Sequence, residues 1–384
     1  MLKMTLSKLA GLSISLGTVL YIDTPIGKPY FILTCFAFFF VFLSIFKRNK
    51  IDFSATIIIS LFVLTFYISK LVLSDSPSDY KYVLNILILP IVYLSMSRLS
   101  IREIISILII CLSLSVVIFG VEFIYRIQHP VIGGAVVGAE SESSGSFYMY
   151  KESSLMYNNS NGVGMHIAFF VVLILSVFKC DRNKKIMQGY QQKIFKIILF
   201  IYCLLLFGTL SRAAIFVVFL AFILYASLNN KKLALYIYIL ISPFILIFLG
   251  FEFSKINITD QSFLTKFEIL NNLLSYLNDA DLSQILFGNV FNHYSTIYSG
   301  FIGFVGHTHY FDLIFTSGLI GSFFYIFLLI AFGTESKSYS FLFLLVFFVL
   351  GFSNIRLFGH YIFYVMAVIL VIVKKTHTLE IKSV

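Results

Sequence analysis

An all-α, polytopic membrane protein is the fold class this sequence predicts, and three observations predict it. Of 384 residues, 59% are hydrophobic and only 12% charged, with a mean hydropathy of +0.95, whereas a soluble domain carries about a quarter charged residues. The apolar residues are gathered into runs that can cross about 30 Å of hydrocarbon, which takes about 20 helical residues each. The runs are also continuous, as from Ile194 to Phe207, whereas a membrane β-barrel needs alternating apolar and polar positions.

Spans are expected at about 8–22, 29–46, 53–73, 82–97, 104–127, 161–178, 193–210, 213–228, 233–250, 308–332, 340–354 and 361–373. They make about 12 transmembrane helices in a single integral membrane domain over residues 1–384. The first, eighth and last are short, and the turn from Thr209 to Arg212 is the narrowest boundary. The first apolar run lacks a small-residue cleavage site, so it is expected to be a retained helix and not a removed signal peptide.

Orientation follows from the basic residues. With a cytoplasmic N-terminus, most of the 28 Lys and Arg fall inside, among them Lys47, Arg48, Lys50, Arg98, Arg102, Arg182, Lys184, Lys185, Lys231, Lys232, Lys374 and Lys375. Most of the 18 acids, including Glu140, Glu142, Glu152, Asp279 and Asp281, then fall outside. Both termini are expected to be cytoplasmic. The net charge of +10 is then a topology signal plus attraction to anionic membrane lipids, and calls for no nucleic-acid partner. Cys35, Cys111, Cys180 and Cys203 fall in spans or a cytoplasmic loop, so none is placed for an extracytoplasmic disulfide, and no metal-ligand spacing is present.

Two loops are longer than turns, at about 128–160 and 251–306, both on the outer, periplasmic side. The first holds a small-residue and acidic stretch, Gly133 to Ser146, suited to a mobile flap. In the second, Phe263, Phe267, Leu270, Leu274 and Leu277 recur every three to four residues and put one apolar stripe on an interfacial amphipathic helix. Chemistry is therefore expected at the outer face. No internal repeat is present, which weighs against an inverted-repeat transporter.

Ionisable residues in or beside the membrane are the site candidates, because a charge there is costly. Arg212, in Gly208-Thr209-Leu210-Ser211-Arg212-Ala213-Ala214, has two readings: an arginine snorkelling at a helix end, or a planar, permanently charged fork for phosphate oxygens. His307 and His309 open the tenth span, ahead of Asp312, Gly318 and Gly321. They can cap the helix or act as bases near neutral pH. Asp312 can orient a histidine or answer a basic residue.

This arrangement resembles the O-antigen polymerase and O-antigen ligase superfamily of bacterial envelope glycan assembly. His307, Thr308, Gly318 and Gly321 fit the ligase signature spacing, with Thr308 a departure at the second position. Ser211-Arg212-Ala213 is similar to the family's arginine motif, and Asn158-Asn159-Ser160-Asn161-Gly162 to its Asn-rich helix start. Lys266 stands where the large loop of family members carries a second arginine, keeping the charge without the fork.

The resemblance implies a metal-independent glycosyltransferase of the bacterial inner membrane, with no cofactor. It implies transfer of a glycan from an undecaprenyl-diphosphate carrier to a hydroxyl at the periplasmic face. Arg212 and Lys266 would hold the diphosphate, His307 would be the general base with His309 second, and Asn161 and Asp312 would line the substrate. Thr308, the missing second arginine and the Phe, Ile and Asn content favour a polymerase over a ligase that delivers polymer to lipid A core. A flippase or other secondary transporter is the alternative from a different class. Partners implied are the lipid-linked oligosaccharide, a chain-length regulator and a flippase.

The orientation is testable by labelling. Ser143→Cys and Asn278→Cys should react with a membrane-impermeant thiol reagent in intact spheroplasts, and Asn183→Cys should stay unlabelled until the membrane is opened.

Overall fold

The computed structural model describes residues 5–25, 27–46, 54–72, 80–130, 150, 153–157, 159–229, 277–278, 280–288, 309–351 and 358–381. Among these every regular element is a helix. In chain order they are α1 (Leu6–Val19), α2 (Pro29–Phe46), α3 (Ala55–Val72), α4 (Tyr80–Met96), α5 (Ile101–Gln128) and α6 (Ser160–Lys184). Then come α7 (Gly189–Gly208), α8 (Arg212–Asn229), the short α9 (Leu282–Phe287), α10 (His309–Ser336), α11 (Ser340–Gly351) and α12 (His360–Ile381). Among the described residues, six stretches are long and apolar enough to cross a membrane: α3, α5, α6, α7, Leu313–Gly351 and His360–Thr378. Shorter apolar helices cover α1, α2, α4 and α8. The chain is thus an α-helical membrane protein. The expected span at 233–250 and the amphipathic run from Phe263 to Leu274 lie outside the described residues, while Leu277, the last apolar position of that run, is helical.

Local chemistry sets several boundaries. At α5, Ser100 Oγ accepts the Glu103 N–H at 3.3 Å and the Glu103 carboxylate accepts the Ser100 N–H at 3.0 Å, a reciprocal cap that fixes the start. The stretch Leu313–Gly351 is two helices folded back on each other. Phe332 packs on Phe343 with ring centroids 5.0 Å apart and Tyr325 on Phe347 at 6.1 Å. Lys337, at φ 51°, makes the turn between them.

Polar contacts show that the helices run alternately in opposite directions and sort their ends into two groups. At one end Lys374 reaches Glu335 at 3.8 Å and the Tyr93 hydroxyl at 3.2 Å, Lys179 donates to the Ser338 carbonyl at 2.7 Å, and Lys8 lies 3.8 Å from Glu103. At the other, Lys28 donates to the Met156 carbonyl at 2.7 Å and the Asn85 amide to the Phe358 carbonyl at 2.6 Å. These are called below the Lys374 end and the Arg212 end.

Helix α6 is the centre of the bundle. Every residue from Val163 to Val177 is buried, as a helix apolar on all sides must be. The helices α7, α8, α11 and α12 pack around it. The outer faces of other helices expose large apolar side chains, among them Phe36 and Phe39 on α2, Phe200 and Phe207 on α7, and Phe216 and Phe219 on α8. Water would not tolerate such a continuous apolar surface, whereas lipid does.

One helix is broken. Within α10, Gly318 has φ 60° and ψ −169°, a region open essentially to glycine alone. The break receives the end of α9, backbone against backbone: a Cβ at Gly318 would lie 2.3 Å from Gly288 N, and one at Gly288 would lie 2.5 Å from Gly318 N. The Gly318→Ala variant should therefore lose about 1–3 kcal/mol from backbone strain alone, with the clash in addition. A Gly333→Ala control, whose nearest neighbour would be Leu344 Cδ1 at 3.7 Å, should match or exceed wild type. Thermal midpoints of the detergent-solubilised proteins check this, and equal midpoints for the two variants would contradict the backbone contact.

Candidate functional site

Arg212 is the first residue of α8 and is exposed. The turn before it is built by side chains as well as backbone. Thr209 Oγ1 donates to the Leu206 carbonyl at 2.7 Å and accepts the Ser211 N–H at 3.3 Å, while Leu210 takes a left-handed φ of 57°. The Ser211 carbonyl accepts the Ile215 N–H at 3.0 Å and so opens α8. Gly164 of α6 lets this turn approach the core, because a Cβ there would sit 2.8 Å from Ser211 Cβ and 3.0 Å from Thr209 Oγ1. Helices α7 and α8 leave between them a groove of about 550 Å³, lined by Cys203, Leu206, Phe207, Ile215, Phe216, Val218, Phe219 and Phe222. Arg212 is the charged side chain in that lining. A cation at the head of an apolar groove suits a molecule with an anionic head and a hydrocarbon tail.

Beside this turn, the segment Ser153–Tyr157 is strapped onto the same end of the bundle. Leu155 N–H donates to the Glu122 carboxylate at 2.8 Å, and the Leu155 carbonyl accepts the Asp23 N–H at 2.8 Å. The Lys28 ammonium, which holds the Met156 carbonyl, lies 3.8 Å from the centroid of the Tyr21 ring and 3.3 Å from Asp23. Tyr157 is buried with its hydroxyl 3.0 Å from His166 Nδ1, and its ring lies against Gly162, where a Cβ would be 2.7 Å from Tyr157 Cγ. The His166 ring stacks on Tyr361 at 4.8 Å and meets His360 edge-on at 5.1 Å. The loop that precedes α6 is therefore anchored at its last residues.

The other sequence candidates divide into three groups. Asn161 is the second residue of α6 and half-buried. The cap of that helix is Asn159, whose side chain accepts the Gly162 N–H at 3.4 Å. His309 and Asp312 fall in the first turn of α10, which begins at His309. His307 and Lys266 lie outside the described residues. The two glycines spaced behind His307 both have packing roles: Gly318 makes the break in α10, and Gly321 approaches Phe66, whose ring carbon would be 2.6 Å from an added Cβ. Among the described residues no group of three or more His, Cys, Asp or Glu could hold a metal ion.

Three polar groups at this end were not singled out by the sequence. Lys70, buried near the end of α3, donates to the Thr316 carbonyl just before the break in α10, and Tyr67 and Ser317 share a hydrogen bond beside it. Glu122 and Arg126 form a buried pair on α5 with Nε to Oε1 at 3.4 Å. Their signal was available, since opposite charges four residues apart inside an otherwise apolar run predict a facing pair.

The close approach at Gly164 can be tested without touching a charged group. Gly164→Ala overpacks the Thr209–Ser211 turn and should cost about 1–3 kcal/mol. Adding Ser211→Gly removes the nearest atom and should return part of the lost thermal midpoint; no recovery would contradict the contact.

No protein-family model and no curated protein matches this chain.

Proposed function

We propose that the protein is a glycosyltransferase of the O-antigen polymerase type. In this reading it transfers the undecaprenyl-diphosphate-linked glycan chain onto a lipid-linked repeat unit at the periplasmic face of the bacterial inner membrane. The chain then crosses the membrane twelve times with both termini cytoplasmic, and the Arg212 end faces the periplasm. The observation that carries the reading is Arg212 at the head of an apolar groove on the lipid-facing side of α7 and α8. A diphosphate on a polyisoprenyl chain is an anionic head on a long hydrocarbon tail, and a guanidinium fork binds its oxygens in pairs.

The distribution of buried charge supports an enzyme over a flippase. Among the described residues, Lys70 lies in the last turn of α3, Glu122 and Arg126 in the last two turns of α5, and Lys179 and Asp181 in the last two turns of α6. A flippase would be expected to line its interior with charge midway along the helices.

The chemistry asks two things of the protein. Charge builds on the leaving diphosphate, which Arg212 and Lys266 would offset. The acceptor hydroxyl is a weak nucleophile and needs a base within hydrogen-bond reach, the role assigned to His307 with His309 beside it. Asp312 and Asn161 would position the substrate. The carrier-linked donor would arrive from a flippase, and a chain-length regulator would set the extent of reaction.

Deletion of the gene, read on a lipopolysaccharide gel, separates the neighbouring activities. A core capped by a single repeat is expected for a polymerase, whereas a bare core with retained carrier-linked polymer would mark a ligase. In complemented deletion cells, Arg212→Lys should lose polymer nearly as completely as Arg212→Ala. A bidentate, charge-assisted pair is worth about 1.5–3 kcal/mol, roughly tenfold or more in transfer, and a point charge cannot reproduce it. A normal ladder from the lysine variant at equal protein level would leave Arg212 as a snorkelling residue. His307→Ala and His307→Gln should both abolish the ladder, with His309→Ala milder; a wild-type ladder from His307→Gln would sink the base assignment.

A further inference from the structure

Arg126 is more deeply buried than Lys28 or Lys70 at the Arg212 end, with its side chain 2% exposed. Its hydrogen-bonding capacity is almost unused. Nε faces Glu122 Oε1 at 3.4 Å, both atoms are buried, and neither completes a hydrogen bond. Among the described residues the guanidinium donates no hydrogen bond at all. A guanidinium carries five N–H donors in a planar fork; here Nε is fully buried without a hydrogen bond, whereas Nη1 and Nη2 are not among the fully buried unpartnered atoms and so remain within reach of a ligand.

Glu122 cannot fill the fork. One of its oxygens accepts the Leu155 N–H at 2.8 Å, and the other meets only the Nε edge. The carboxylate therefore fixes the orientation of the fork and leaves the two Nη groups without an acceptor among the described residues. Two parallel N–H donors match two oxygens of a phosphate. Position supports the same ligand. The guanidinium carbon lies 6.0 Å from the centroid of Phe123, and that ring packs on Gly208, where a Cβ would be 2.6 Å away. Gly208 ends α7, and Arg212 opens the next helix, so one ring and one turn connect the two arginines.

We propose that Arg126 is a second phosphate-binding cation at this end, taking a phosphate-class oxyanion on its Nη edge, with Glu122 as the residue that positions it. The proposal rests on reading Arg212 as a diphosphate clamp. The oxyanion comes from the diphosphate of a lipid carrier or from a phospholipid head group, which share this chemistry.

The test is calorimetric titration of the purified full-length protein in phosphatidylcholine nanodiscs with inorganic diphosphate. The variants are Arg126→Lys, which keeps the charge beside Glu122, and Glu122→Gln/Arg126→Met, which leaves no buried charge unpaired. Both should bind diphosphate about tenfold more weakly, the loss of one bidentate pair, while their unliganded thermal midpoints stay near wild type. Affinity within about twofold of wild type in either folded variant would overturn the proposal. If Arg212→Ala weakens binding and the Arg126 variants do not, the clamp reading stands and this one falls. If the Arg126 variants weaken binding but the protein makes no polymer from a lipid-linked repeat, the Arg126 site stands and the polymerase reading falls. Repeating the titration in discs containing phosphatidylglycerol identifies the source: binding suppressed by the anionic lipid marks a head-group site, and unchanged binding marks the diphosphate of a carrier.

Discussion

The enclosure of α6 is the constraint on which the rest of the structure depends. A helix that is apolar all round has to be covered all round, and α7, α8, α11 and α12 are held in place by covering it. Two of its glycines decide what lies close at the Arg212 end. Gly162 admits the Tyr157 ring, which ends the strap, and Gly164 admits the Thr209–Ser211 turn, which presents Arg212. The exposed arginine is thus positioned from within, by Gly164 on a helix that it does not belong to.

A second constraint is the cost of charge and unpaired backbone in a low-dielectric interior. It is met by placing charge in the last turns of helices and giving it a carbonyl or a carboxylate. Lys179 has the Ser338 carbonyl and Lys70 the Thr316 carbonyl, freed where α10 breaks at Gly318. Glu122 has a backbone N–H from the strap. Arg126 is answered less fully, a buried side chain whose guanidinium meets Glu122 at one edge. Other buried polar atoms also lack a hydrogen bond, among them Arg98 Nη2, His166 Nε2 and the Ser160 and Ser176 hydroxyls, but of the buried cations at the Arg212 end Arg126 is the one whose charge is met at a single edge.

Helix identity was legible in the sequence because continuous apolar runs in lipid admit few structures. The narrow boundary at Thr209–Arg212 was legible too, and the left-handed Leu210 shows why it breaks there. The glycine spacing behind His307 fits a family signature, and in the structure Gly318 and Gly321 admit backbone and ring approaches from α9 and Phe66, which the spacing alone does not announce. What the sequence hid was non-local. Nothing in the neighbourhood of Leu155 announces that it will bridge Asp23 and Glu122, and nothing near His166 announces Tyr361 as its stacking partner. Such pairings depend on how helices distant in the chain come together, which periodicity does not encode.

Reconstitution is the most direct test of the proposed transfer from a diphosphate-linked lipid at the Arg212 end. Purified protein in liposomes, supplied only with an undecaprenyl-diphosphate-linked repeat unit, should lengthen the glycan and release one undecaprenyl diphosphate for each new glycosidic bond. The same preparation carrying Arg212→Ala should do neither. Movement of the intact lipid-linked repeat across the bilayer, with no new glycosidic bond and no released carrier, would contradict it.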